Sequence, residues 1–213
     1  MTEAFLEDLR RRGAAAGVEI PEILGASLGR YFELLALWND KVNLTGFSLG
    51  SPTDAAIDRL FIEPLIASRA VAGPVTAMID LGSGGGSPGI PMALALAPER
   101  TVLVEAKVRK SVFLKEVARE LGIINRVDIQ TARFETLSTN PAFSGAFDLA
   151  TVRAIRVGAP ESRVVSMFLR PGGQMLVFHA ADKPPTGIGD EFRFLEIIPL
   201  ETGGGVISVM VRV

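Results

Sequence analysis

The sequence has no cysteine and only one histidine, one tryptophan and one tyrosine in 213 residues. Without cysteine there is no disulfide, no thiolate metal ligand and no thiol nucleophile. His179 alone argues against a histidine-based zinc site, so no metal is expected. No apolar run approaches the roughly 20 residues that span a bilayer, so no membrane partner is expected. The opening MTEAFLEDLRRRG carries acids where a secretory leader needs a basic start, and the cytoplasm is the expected compartment. An excess of charge is missing too. The formal net charge is −2 and the pI near 5.6, which argues against a general nucleic-acid binder.

What is present is core. Hydrophobic residues make up 48% of the chain and mean hydropathy is +0.34, which excludes disorder. The length suits one large domain, or a domain with an extension. The chain is organised around residues 75–91, VTAMIDLGSGGGSPGIP. An apolar run ends at Asp80, five glycines fall between Gly82 and Gly89, and helical spacing resumes at Ile90. A buried strand, a tight turn and a helix are predicted. Gly82, Gly84 and Gly86 let a ligand approach bare backbone. Asp80 at the strand end would repel a diphosphate but suits a ligand carrying an ammonium and a sulfonium. The next apolar run, 101–104, ends in Glu105, placed to accept from ribose hydroxyls. Acids at two successive strand ends fit S-adenosylmethionine better than NAD.

Before this stretch, helical spacing predicts a lead-in over 1–72 and, after it, the main domain over 73–213. Thr2 is the expected cap of the first helix, Pro21 opens the second, and 54–70 reads as a third, with Arg59 and Glu63 one turn apart. Asn39 and Asn43 in WNDKVNLTG read as helix-end and turn residues. After residue 75 strands and helices alternate, with strands predicted at 127–130, 147–152 and 174–178 and a tight turn at 171–173. A helix is predicted over 109–121, and a basic cluster runs from just before it into it: Lys107, Arg109, Lys110, Lys115 and Arg119. Segments 192–199 and 206–213 read as a closing antiparallel pair. The predicted fold is thus the Rossmann-like mixed α/β sheet of class I S-adenosylmethionine-dependent methyltransferases, parallel with a C-terminal hairpin, behind an N-terminal helical extension.

Absent motifs narrow the chemistry. Cytosine C5 methylation needs a cysteine nucleophile. Amino-group methylation typically uses an Asn/Asp-Pro-Pro-aromatic turn after strand four, and here that turn reads TVRAI. Guanine N7 carries a lone pair at neutral pH and needs no base, so proximity and orientation suffice.

WNDKVNLTG, DLGSGGGSPGIP, VRKSVFL, RFE and VRA occur here in one order and together resemble the glucose-inhibited division protein B family. Its members are bacterial S-adenosylmethionine-dependent enzymes that form 7-methylguanosine in 16S rRNA. The resemblance implies cofactor contacts at Gly82, Ser87, Phe134, Glu135 and Arg153, with Phe134 and Glu135 at the adenine edge. It makes Arg153 and Arg59 the catalytic candidates and Asn39 and Asn43 possible RNA-side residues. It also implies 16S rRNA or the small-subunit particle as partner, met by a monomer. The chain departs from the family pattern at Leu60, Glu63, Ser87 and His179. A ribosome-assembly factor that binds the cofactor without turnover, and an NAD-dependent oxidoreductase, are the alternatives.

Overall fold

A computed structural model describes residues 2–200 and 205–213; the side chain of Thr2, and with it the expected cap, lies outside the described residues. Among the described residues seven strands form: β1 (Ala77–Leu81), β2 (Arg100–Val104), β3 (Val127–Gln130), β4 (Phe147–Arg153), β5 (Leu169–Ala180), β6 (Phe192–Pro199) and β7 (Gly205–Arg212). They lie side by side in the order β3-β2-β1-β4-β5-β7-β6. The first five are parallel, and β7 runs antiparallel to both β5 and β6. Strands buried on both faces need no alternation, which is why MIDL and TVLV read as unbroken apolar runs apart from Asp80 and Thr101. The chain leaves β1 towards β2 and β3, then crosses back to β4 on the other side. That reversal opens a crevice at the carboxyl ends of β1 and β4, where ligands of such sheets bind.

Helices cover both faces. α1 (Thr2–Ala15), α2 (Glu22–Val42), α3 (Asp54–Ile57) and α4 (Glu63–Arg69) precede the sheet; α5 (Gly89–Leu96), α6 (Val108–Glu120), α7 (Phe134–Leu137) and α8 (Ala159–Phe168) alternate with its strands. The lead-in helices do not stand apart. Phe5 stacks on Phe32 at 4.1 Å, and Phe61 meets both Phe5 and Tyr31 edge-on. This aromatic group continues without a break into Phe113, Leu114, Ile90 and Leu103. Each such side chain contributes about 1.5–3 kcal/mol on burial, which ties the lead-in firmly to one face of the sheet. On the opposite face Phe134, Val165 and Phe168 pack on Ile79, Val102 and Val152.

Two elements differ from the expected ones. The helix expected over 54–70 is broken by a π turn at Asp58–Ile62, between α3 and α4. The cause is legible: Pro64 has no N–H to give the carbonyl of Leu60, and the Glu63 N–H bonds back to Asp58 rather than to Arg59. The carbonyls of Arg59 and Leu60 are thereby freed for other donors. β5 is also longer than expected. Leu169 already pairs with Phe147, and the Pro171-Gly172-Gly173 turn is an irregularity inside the strand before Gln174 pairs with Leu149.

Candidate functional site

The glycine turn follows β1 at the reversal of the sheet. Gly82 and Gly86 have φ of +75° and +95°, conformations that favour glycine. A Cβ on Gly82 would also lie 2.7 Å from Cδ1 of Ile155, so the wall there is bare backbone by necessity. Four of the turn's N–H groups have acceptors inside the protein. Gly82 and Ser83 donate to the carbonyl of Val104, Gly86 to that of Ser83, and Gly84 to Oε2 of Glu105 at 2.9 Å. Tyr31, fully buried on α2, fixes the turn from the other side by donating to the carbonyl of Gly85 at 2.6 Å. Burial and Asp80 push the Tyr31 phenol above its ordinary value, which keeps it a donor.

Three cavities meet around this turn. The first, of about 250 Å³, is walled by Gly82, Glu105, Arg133, Phe134, Glu135 and Ile155 among others. The second, of about 340 Å³, shares Gly82 and Glu105 with it and adds Gly84, Ser87, Lys107, Lys110 and Arg153. The third, of about 640 Å³, joins the second at Arg59 and Ala154 and the first at Ile155, and reaches out to Arg156, His179, Asp182 and Lys183. The three cavities thus adjoin one another around the turn: the first is walled by Phe134 with Glu105 and Glu135, the second by the glycines, and the third is the widest.

Glu105 follows β2 directly and is 8% exposed. Its Oε1 accepts from the N–H of Lys107 at 2.7 Å while Oε2 takes that of Gly84, so the carboxylate is oriented by backbone. Each oxygen keeps a lone pair for a ligand in the shared part of the first two cavities. Phe134 and Glu135 open α7 on the far wall. Asp80 is placed differently from its expected role at the ligand. It is 1% exposed, lies beneath the turn, and lines none of these three cavities. Its Oδ1 accepts from Thr151 Oγ1 at 2.6 Å, its Oδ2 is buried without a partner among the described residues, and burial pushes it up to about 6. The reason is its register in β1, which turns the side chain towards α5 and the neighbouring β4.

The polar centre lies between the second and third cavities. Arg153, at the end of β4, donates from Nη2 to Glu63 Oε2 at 2.8 Å and from Nη1 to Ser87 Oγ at 3.1 Å and to the carbonyl of Arg59. Its guanidinium lies 4.1 Å from the ring centre of Phe178. Burial pulls Arg153 down to about 9, opposed by Glu63, so it remains charged at neutral pH. Burial likewise pushes Glu63 up, opposed by Arg153 and Arg59. Arg59 donates from Nη1 to the same Glu63 oxygen at 3.1 Å. Ser87 donates to the carbonyl of Leu60 at 2.8 Å, so both carbonyls freed by the π turn are taken by site residues. The sequence suggested the Arg59–Glu63 pair, but nothing in it signalled that Glu63 also holds Arg153. Ile155 and Tyr31 were missed as well, since an isoleucine after a strand and a tyrosine on an apolar helix face are ordinary core signals.

Asn39 supports the wall rather than facing the cavities. Its Oδ1 accepts from the N–H groups of Leu44 and Thr45, and its Nδ2 donates to the carbonyl of Phe47; Leu44, Thr45 and Phe47 line the second cavity. Asn43 ends α2 in the left-handed conformation. His179 donates from Nδ1 to the carbonyl of Ala180, and its Nε2 lies 2.7 Å from Ser208 Oγ. Among the described residues there is no acidic, histidine and cysteine group able to hold a metal, and no helix is long and apolar enough to cross a membrane.

With this geometry in hand, the relatives are informative. Residues 25–185 match the family model of rRNA small subunit methyltransferase G. A protein named ribosomal RNA small subunit methyltransferase G from Prochlorococcus marinus (strain MIT 9313) is 36% identical over 153 residues, 71% of this chain and 61% of that protein. One of the same name from Sorangium cellulosum is 34% identical, covering 80% of this chain and 70% of that protein. The chain thus matches about three fifths of the length of the Prochlorococcus relative. Among solved structures, a putative O-methyltransferase from Klebsiella pneumoniae superposes with a TM-score of 0.60 at 15% identity, over 86% of this chain and 90% of that one. The putative methyltransferase yhhF from Escherichia coli gives 0.59 at 12% identity, over 70% and 84%. These likenesses establish the fold, a class I methyltransferase sheet behind N-terminal helices.

Proposed function

The chain belongs to the rRNA small subunit methyltransferase G family, and from that membership we propose that it methylates N7 of a guanosine in 16S rRNA, using S-adenosylmethionine. One observation carries the cofactor half of this reading. The glycine turn offers bare backbone to the cavities while the N–H groups of Gly82, Ser83, Gly84 and Gly86 are already spent inside the protein. A diphosphate held at such a turn depends on free N–H groups, and these four are not available to one. An adenosine with a methionine tail needs instead a carboxylate for the ribose, an apolar wall for the base and close backbone for the tail.

The residues present fit that group. Glu105 would take the ribose hydroxyls, Phe134 and Glu135 the adenine, and Gly82, Gly84 and Gly86 the tail, with Lys107 and Lys110 near its carboxylate. Asp80 acts from beneath the turn. When bound, the cofactor supplies an electrophilic methyl on a sulfonium. Ser87 and Arg153 shape the passage towards the third cavity, which takes the acceptor nucleotide. Guanine N7 needs no proton removed, which agrees with His179 having both ring nitrogens engaged by the protein. The chain's work is then to orient and to exclude water. A helical lead-in over 1–72, a catalytic domain over 73–213, a monomeric state and a cytoplasmic location belong to the same reading.

The test is methyl transfer from labelled S-adenosylmethionine to small-subunit particles and to naked 16S rRNA, with mass-spectrometric mapping of the product. A 7-methylguanosine at one nucleotide is the expected result. Tight cofactor binding with no transfer to either substrate would favour the assembly-factor alternative.

A further inference from the structure

Arg59 stands where the second and third cavities join, and it is held there. Glu63, 3% exposed, accepts from its Nη1, and the π turn that carries Arg59 is pinned by Arg153 through the Arg59 carbonyl. Among the described residues its Nε and Nη2 meet no acceptor, although the side chain lines both cavities. A charged donor fixed on one side and without an acceptor among the described residues on the other is suited to a specific acceptor.

The chemistry of the proposed reaction says which acceptor. A guanine that presents N7 to the join must bring O6 there too, because N7 and O6 lie on the same edge. Adenine would present an amino donor in place of O6. Arg156 and Lys183, exposed on the third cavity, are available for the phosphates of the same nucleotide. We propose that Arg59 is the base-selecting residue, donating to guanine O6 while Glu63 holds its guanidinium in place. This rests on the guanine-N7 reading and gives it a mechanism of choice between purines. Arg153, buried and fully turned inward, positions the turn on which Arg59 sits.

The experiment uses 16S rRNA in which the nucleotide methylated by the wild type is replaced, by ligation of a synthetic fragment, with 2-aminopurine. That base keeps N7 and the 2-amino group and carries hydrogen in place of O6. Single-turnover rates on guanosine and on 2-aminopurine are compared in one preparation, so partial unfolding alters both alike. Arg59→Met should slow guanosine methylation by about 10- to 100-fold, the loss of one charge-assisted hydrogen bond, and change the 2-aminopurine rate less than about threefold. Arg59→Lys should give an intermediate ratio. A guanosine-to-2-aminopurine ratio within about threefold of wild type in Arg59→Met would overturn the inference, leaving Arg59 a phosphate contact or a structural residue. Should Arg59→Met be inactive on both bases, an unchanged ratio in Arg59→Lys overturns it equally, and a reduced ratio supports it. If the wild type methylates no guanosine at N7, the parent reading fails and takes this inference with it.

Discussion

Glu63 and Arg153 form an ion pair at 2.8 Å, with side chains 3% and 8% exposed, between a helix of the lead-in and the end of a sheet strand. The pair is what the core of the protein places behind the join of the two cavities, and its removal has consequences for both stability and rate.

Glu63→Ala should destabilise the protein by about 3–5 kcal/mol, because it leaves Arg153 buried without its counter-charge. Glu63→Gln should cost less, since an amide oxygen still accepts one hydrogen bond. Urea unfolding, read as a change in midpoint at constant slope, measures both. Arg153→Ala should slow single-turnover methylation by about a hundredfold, the scale of misplaced reactants. Equal midpoints for wild type and Glu63→Ala would show that the pair contributes nothing.

Glu105→Ala should weaken S-adenosylhomocysteine binding by about 1–3 kcal/mol, through lost acceptors for the ribose and a loosened turn at Gly84. Glu105→Gln should lose less. Isothermal calorimetry with both variants decides this, and unchanged affinity in the two would remove Glu105 from the cofactor site.

Asp80 makes a pH prediction. Burial raises it from 3.8 unfolded to about 6 folded, so between those values the native state binds more protons than the unfolded state. Its contribution to stability therefore falls as pH rises from about 4 to 6, by about 3 kcal/mol in all. Asp80→Asn, which still accepts from Thr151, lacks this fall. Denaturation of both proteins at pH 4 and pH 7, without cofactor, should show the variant gaining on the wild type at the higher pH. A constant difference would mean that Asp80 is not held in its raised state.

The methylation rate under single turnover should stay nearly flat between about pH 6.5 and 8, because N7 gives up no proton and Arg153 stays charged there. His179→Ala should leave the shape of that profile unchanged, whatever it does to the absolute rate. A rising limb that vanishes in His179→Ala would overturn a base-free mechanism.

Much of this architecture was legible in the sequence, for identifiable reasons. VDIQ stands between polar loops and became β3 at its expected bounds, and the run from Met78 to Gly89 could be little other than strand, turn and helix. The position of Asp80 was harder. Its place at the strand end was visible, but which side of the sheet it faces depends on register. Of the network around Glu63 only the pair with Arg59 was legible, because Ser87 and Arg153 join it through the tertiary fold. Pro64 was the one local clue, a residue that cannot continue an α-helical ladder, and it sat inside a pattern otherwise helical enough to hide it.

The π turn at Asp58–Ile62 amounts to one residue more than an α-helix of the same span would hold. Each residue of an α-helix advances the chain by about 100° of rotation. Deleting a single residue there would let the ladder close, and the isolated helix would be more regular for it. Yet everything on one side of the deletion would swing round the axis relative to the other. Asp58 would leave Arg12, or Glu63 would leave Arg153, and the Glu63 N–H would recapture a carbonyl that the site now uses. The chain length between residues 58 and 63 is thus a geometric constant of the site, which a substitution leaves intact and an insertion or deletion does not.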